Sequence, residues 1–195
     1  MQSTRKLILA SSSPRRRELL HGAHFDFTVR APDVDETALP GETADACTQR
    51  LALAKARVVA ERLADGACVL AADTLVVVDD TVLGKPRDTE EAIAMLLRLE
   101  GRSHRVLTGY AVLCPSDGTE TSGVAESVVT MRPVSPAEAL AYAESGEPLD
   151  KAGAYALQGE GAQFVTHIEG SRSNVIGLPL EIVTPILERL GVARR

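Results

Sequence analysis

The sequence has no tryptophan, and aromatic residues make up only 3% of its 195 positions. Surfaces that bind single-stranded nucleic acid stack bases on aromatic rings, so that class of function is disfavoured. A basic excess is missing too: 27 acidic against 21 basic residues give a net charge of −6. Proteins that track a polymeric phosphate backbone need a basic footprint, so no nucleic-acid polymer is expected as a partner. A small anionic ligand needs only a local basic pocket and stays admissible. No apolar run reaches the roughly 18 residues of a membrane span, so no membrane association is expected. The run Leu7–Ala10 is too short for the core of a secretory signal. Cys47, Cys68 and Cys114 are scattered and lack metal-ligand spacing. So odd and sparse a set predicts a reducing, cytoplasmic compartment and no disulfide framework.

What is present is ordinary for a folded enzyme: 45% hydrophobic and 25% charged residues. The length fits one domain, or two tightly joined lobes. Leu7–Ala10 reads as a buried strand, and a helix follows from Pro14 to His21 with Ser13 as its cap. A second strand is expected at 25–30 and a loop at 32–41. The longest helix is expected over Thr43–Ala64, with an apolar face of Cys47, Leu51, Ala54 and Val58. Val69–Val78 reads as a buried strand, Asp79-Asp80 as a turn, and Val82-Leu83 as a returning hairpin strand. Asp88 opens a helix that runs to Leu99. His104–Leu113 and Gly123–Pro133 form a strand pair, and Ser135-Pro136-Ala137-Glu138 is a capping box. Pro148–Gly161 reads as a polar loop, Phe164–Ile168 as a strand and Leu178–Leu190 as a last helix containing Pro185. Strands alternating with helices, with central hairpins, indicate a mixed α/β protein.

Five features carry chemistry. Ser11-Ser12-Ser13-Pro14-Arg15-Arg16 stands between a strand and a helix. A helix start offers unpaired N–H groups and partial positive charge, so this segment can cradle phosphate. Successive helical residues turn by about 100°, so Arg15 and Arg16 face the ligand better than Arg17 does. The plain alternative is a capped helix with a solvated basic run. Asp73 lies inside an apolar strand, where a carboxylate must be paired or bind metal. As an ion pair, Lys85 is one available partner. Val34-Asp35-Glu36 adds two acids in a loop; with Asp73 they could supply oxygen ligands to a hard cation. Lys55 sits about 40° around the long helix from Leu51, flanking its buried face. Lys85 precedes a helix. Asp150–Gly159 is a glycine-spaced polar loop of the kind that holds sites. The histidines, His21, His24, His104 and His167, have no ligand spacing and read as structural or exposed, and no nucleophile elbow is found.

Taken together, Leu9–Arg16, Val34–Glu36, Ala54–Ala56, Ala72–Thr74, Gly84–Pro86, Asp150–Gly159 and Gly177–Pro179 resemble the Maf family of nucleotide pyrophosphatases, also described as septum-formation inhibitors. The motifs run in the family's order across nearly the whole chain, which would make residues 1–195 a single Maf-like domain. The resemblance implies an elongated, two-lobed, mixed-sheet α/β fold like that of inosine triphosphate pyrophosphatases, with a cleft between the lobes. It implies a homodimer and a Mg²⁺ or Mn²⁺ requirement. It makes Asp73 the proton acceptor and Glu36 its partner in metal or water handling. It places Ser11, Arg15, Arg16, Lys55 and Lys85 on the phosphates. At Arg15, Thr74 and Gln158 the chain looks like the branch that hydrolyses dTTP and UTP. An amide at Gln158 can pair with the carbonyl and N3–H of thymine or uracil. Two other readings compete: a nucleotide-binding regulator of septum formation without turnover, and a purine (ITP or XTP) pyrophosphatase.

Overall fold

Residues 5–63 and 66–195 are described by the computed structural model. Their strands form an open, seven-stranded mixed sheet in the order β2-β1-β3-β5-β6-β7, with β4 attached to β3. The strands are β1 (Leu7–Leu9), β2 (Thr28–Val29), β3 (Cys68–Val78), β4 (Thr81–Leu83), β5 (Ser103–Cys114), β6 (Thr119–Met131) and β7 (Val165–Glu169). The helices are α1 (Pro14–Gly22), α2 (Ala44–Ala60), α3 (Thr89–Leu99), α4 (Pro136–Glu144), α5 (Arg172–Ile176) and α6 (Leu180–Arg189). β1 pairs in parallel with β2 and β3, whereas β3–β4 and β6–β7 are antiparallel. The mixed α/β class expected from the alternation is therefore observed.

The chain divides into two compact units. The first holds the residues up to Asp73 together with Thr108–Ala125 and Gly177–Arg195; the second holds Thr74–Leu107 and Glu126–Ile176. In the first unit the sheet is covered on both faces, and the two-residue period sorts its side chains. Leu7, Leu9, Leu70, Ala72 and Val112 pack with Leu20 of α1 and Val183 and Leu187 of α6. Ile8, Ala10, Val69, Ala71 and Ala111 face the other way, onto Ala52, Ala56 and Val59 of α2. A strand buried on both faces needs apolar residues at every position, which is why 69–72 reads as an unbroken run. In the second unit Val76, Val78, Val106, Val129 and Met131 pack with Leu96 and Leu99 of α3 and Tyr142 of α4.

Local signals account for most element ends. Thr43 caps α2 through Ala46 N, Asp88 caps α3 through Glu91 N, and Ser135 and Glu138 close a reciprocal capping box on α4. Asp79 and Asp80 both take positive φ, 47° and 58°, which makes the tight turn between β3 and β4. Other expectations need correction. α2 ends at Ala60, and Ala64 lies outside the described residues. Its buried stripe is Cys47, Thr48, Leu51, Ala52, Lys55, Ala56, Val59 and Ala60, with Ala54 and Val58 only partly buried. Small residues set that stripe. Gly109 of β5 sits so close that a Cβ there would run into the Thr48 carbonyl. β6 starts at Thr119 rather than Gly123, because the pairing continues down to the turn. The last helix begins at Leu180, and the short helix α5 has no counterpart in the sequence pattern.

The cysteine expectation also fails. Cys68 and Cys114 form a disulfide although 46 positions separate them. They lie on β3 and β5, which are neighbours in the sheet, so lateral pairing rather than sequence spacing brings them together. Cys47 stays outside the disulfide and is buried.

Of the histidines, His21, His24 and His167 are exposed and His104 is buried, as expected. His104 Nε2 shares a 2.7 Å hydrogen bond with the Tyr155 hydroxyl, and its Nδ1 has no partner. Burial lowers the His104 pKa to about 4, because a charged ring there would lose its hydration. A group whose pKa is lower folded than unfolded adds stability above its unfolded value and loses it as the pH falls. Unfolding free energy should therefore drop between about pH 6.5 and pH 4, by about 1.4 kcal/mol per unit of the pKa gap. Urea titrations across that range check this, and His104→Gln should remove that part of the slope.

Candidate active site

The first unit gathers most of the expected residues. β1 delivers the chain to Ser11, which is 4% exposed. Ser11 Oγ accepts hydrogen bonds from Ser13 N (3.2 Å) and Arg16 Nη1 (3.3 Å), which leaves its own O–H to donate. Ser13 caps α1 by accepting from Arg16 N, and Pro14 occupies the first turn. Arg16 also donates from Nε to the Gly177 carbonyl at 2.7 Å. Burial lowers the Arg16 pKa from its ordinary value, while Asp73 pulls it back up. Arg16 is thus anchored at the helix start beside Ser11 and two carboxylates. Arg15 is partly buried, and Arg17 is exposed, as the helical rotation anticipated.

Lys55 organises the centre. Its Nζ lies 2.6 Å from Asp73 Oδ1 and 2.6 Å from Glu36 Oε1. Lys55 and Asp73 are each 7% exposed, whereas Glu36 is exposed. The partner of Asp73 is therefore Lys55, not Lys85, and Lys55 lies in the buried stripe rather than on its flank. The geometry explains both differences: β3 runs against α2, and the long lysine stem reaches the carboxylate from the helix.

The adjacent acids Asp35 and Glu36 separate in role. Asp35 Oδ1 accepts from Thr37 N at 2.9 Å in a local turn, and hydrogen bonding from the Thr37 side chain, then from its N–H, lowers the Asp35 pKa. Glu36 turns to Lys55. The loop that carries them is pinned to α2 by Arg50, which donates from Nε to Glu42 Oε1 (2.6 Å) and from Nη2 to the Thr37 carbonyl (3.1 Å). The bond from Arg50 holds the Glu42 carboxyl at about 2, so the clamp stays charged. Sequence reading missed this brace. Its signal was weak, an acid and an arginine eight positions apart across a helix start.

Thr74, Lys85 and Gln158 belong to the second unit. Thr74 follows Asp73 directly on β3, and Lys85 is exposed between β4 and α3. The loop that carries Gln158 is built from 3₁₀ turns at Glu147–Asp150, Ala152–Ala154 and Glu160–Phe164. Gly153 (φ 71°) and Gly159 (φ 136°) supply conformations that other residues rarely adopt. The expectation of a polar loop over 148–161 needs correction here: residues 153–157 are buried, while Gln158 is exposed. Their small and apolar side chains pack inward, with Ala154 and Tyr155 joining the core of the second unit. Arg172 of α5 donates to the Leu157 carbonyl at 3.2 Å.

Among the described residues no group of three or more His, Cys, Asp or Glu is arranged to hold a metal. The oxygen donors available are the two carboxylates on Lys55. No described helix is long and apolar enough to cross a membrane.

Comparison with known proteins agrees with these motifs. The family model for Maf-like proteins matches residues 6–190. A dTTP/UTP pyrophosphatase of Myxococcus xanthus is 55% identical over 186 residues, 95% of this chain and 93% of that protein. A dTTP/UTP pyrophosphatase of Desulfotalea psychrophila is 47% identical over 184 residues, 94% of this chain and 92% of that protein. Among solved structures, the Ham1 protein of Staphylococcus aureus aligns at 18% identity and a TM-score of 0.47, covering 65% of this chain and 72% of its own.

Proposed function

Because this chain belongs to the family of Maf-like proteins, we propose that it hydrolyses dTTP and UTP to the monophosphate and pyrophosphate. The observation that carries the reading is the Lys55 ammonium, buried and 2.6 Å from both Asp73 and Glu36. A buried carboxylate paired with an ammonium in an apolar strand suits a general base better than a purely structural role. The relatives named dTTP/UTP pyrophosphatase supply the substrate class.

In this reading Asp73 accepts a proton from the attacking water. The water oxygen bonds to the α-phosphorus, the bond to the bridging oxygen breaks, and pyrophosphate leaves with the electron pair. Ser11, Arg15, Arg16 and the N–H groups that open α1 offset the negative charge on the phosphates, and Lys85 adds a cation. A divalent cation fits the donor set, since a hard ion such as Mg²⁺ takes one or two carboxylates and completes its shell from water and phosphate. Glu36 and Asp73 would hold it, and when bound it would supply further charge neutralisation.

Gln158 and Thr74 read the base. An amide presents donor and acceptor side by side and matches the carbonyl and N3–H of uracil or thymine in one orientation. Cytosine requires the flipped amide, and a group left unpaired costs about 1–3 kcal/mol. Pyrophosphate release from UTP, dTTP, CTP, GTP and ITP tests the reading. The expected result is kcat/KM highest for UTP and dTTP, and a UTP-to-CTP ratio that drops in Gln158→Glu. A wild-type ratio near one would reject base reading. No turnover of any triphosphate, with a divalent cation present, would reject the hydrolase.

A further inference from the structure

We propose that Glu147 is a positioning residue for base selection, whose carboxylate fixes the turn after Gln158 and so aims the Gln158 amide. The proposal rests on Gln158 reading the base.

Glu147 Oε1 accepts from the Tyr142 hydroxyl at 2.8 Å and from Gly161 N at 3.2 Å. Its Oε2 accepts from Glu160 N at 3.0 Å. The chain from 159 to 161 therefore wraps one carboxylate. Gly159 passes so close that an added Cβ would lie 2.5 Å from Glu147 Oε2. Glycine at 159 is thus required twice, by its φ of 136° and by this approach. Burial pushes the Glu147 carboxyl up, but the Tyr142 hydroxyl and the two amides outweigh it and leave the pKa below its ordinary value. On the other side of Gln158, Arg172 holds the Leu157 carbonyl and His104 holds Tyr155. The backbone is tethered before and after Gln158, while the Gln158 side chain is exposed.

A carboxylate suits this task because it only accepts, so it can collect three donors. Glu147→Gln keeps the shape but turns one oxygen into an N–H group facing an N–H or O–H donor. The turn then loosens, and an amide that must present donor and acceptor in one order loses its aim. Turnover of the phosphates does not depend on that order.

The test compares kcat/KM for UTP and CTP in the wild type, Glu147→Gln, Gln158→Ala and the double variant. The UTP-to-CTP ratio is expected to fall about fivefold or more in Glu147→Gln, the effect of one weakened hydrogen bond. In the Gln158→Ala background, Glu147→Gln should lower the ratio no further, since both changes act through one amide. A protein merely destabilised loses active fraction equally for both substrates and keeps its ratio. If Glu147→Gln leaves the ratio intact while Gln158→Ala lowers it, the positioning role is overturned and base reading survives. If Gln158→Ala leaves the ratio intact, base reading fails and the proposal fails with it. Should Glu147→Gln not fold, Tyr142→Phe carries the test: it removes one of the three donors, its ring still packs edge-on against Phe164, and an unchanged ratio overturns the proposal.

Discussion

Asp73→Asn should fold, bind UTP and turn it over about 10²–10⁴-fold more slowly, the usual consequence of removing a general base. Asparagine has nearly the same shape and cannot take up a proton. Electrostatics favour a folded variant. Lys55 touches two carboxylates, so neutralising Asp73 leaves the ammonium with Glu36. Single-turnover release of pyrophosphate, alongside a melting curve, measures both halves. A variant that keeps its wild-type rate would remove Asp73 from the role of base.

Lys55→Met should behave in the opposite way, with a large loss of stability accompanying the loss of activity. The substitution keeps the stem but strips the charge from a site in which Asp73 is 7% exposed. Leaving a buried charge unpaired typically costs about 3–5 kcal/mol. Glu36 adds little to that figure, since it is exposed and water can take over from the lysine. Urea unfolding measures the cost. Combining Lys55→Met with Asp73→Asn should recover much of it, because the second change removes the stranded charge. If the single variant is as stable as the wild type, the Lys55–Asp73 pair contributes nothing to folding.

The residues changed in these variants show where sequence reading succeeds and where it stops. Asp73 stands out because a charge inside Val69–Val78 breaks a simple rule about buried strands. The start of α1 is legible because Ser13 and Pro14 are strong local signals and Arg15 and Arg16 oppose the helix dipole. Lys55 is found but misplaced, since alanine and threonine count weakly in a hydrophobic pattern and the true stripe of α2 is built on Thr48, Ala52 and Ala56. Its partner cannot be read at all, because pairing between α2 and β3 depends on tertiary packing. The Cys68–Cys114 link is missed for the same reason, being a relation between neighbouring strands. Arg50, Glu147 and Arg172 act on backbone groups of distant loops, and no local pattern marks such contacts. Glycines give the better hint: Gly153 and Gly159 mark a loop of special backbone without revealing its braces.

The division of the chain into units that are each discontinuous also sets an order of events during synthesis. Asp73 ends one segment of the first unit and Thr74 begins the second unit, and the chain returns at Thr108 and again at Gly177. The apolar layer on one face of the first unit's sheet includes Leu7 and Leu9 as well as Leu178, Val183, Leu187 and Val192. A nascent chain therefore carries Leu7 and Leu9 with only α1 over them until α6 has emerged, whereas every residue of the second unit's core precedes residue 177. Contacts so far apart in sequence close slowly, and uncovered strands are exposed to misassembly meanwhile. β1 belongs to a core completed only by α6, so the part of the molecule that carries Asp73 and Lys55 becomes competent only once α6 has been made.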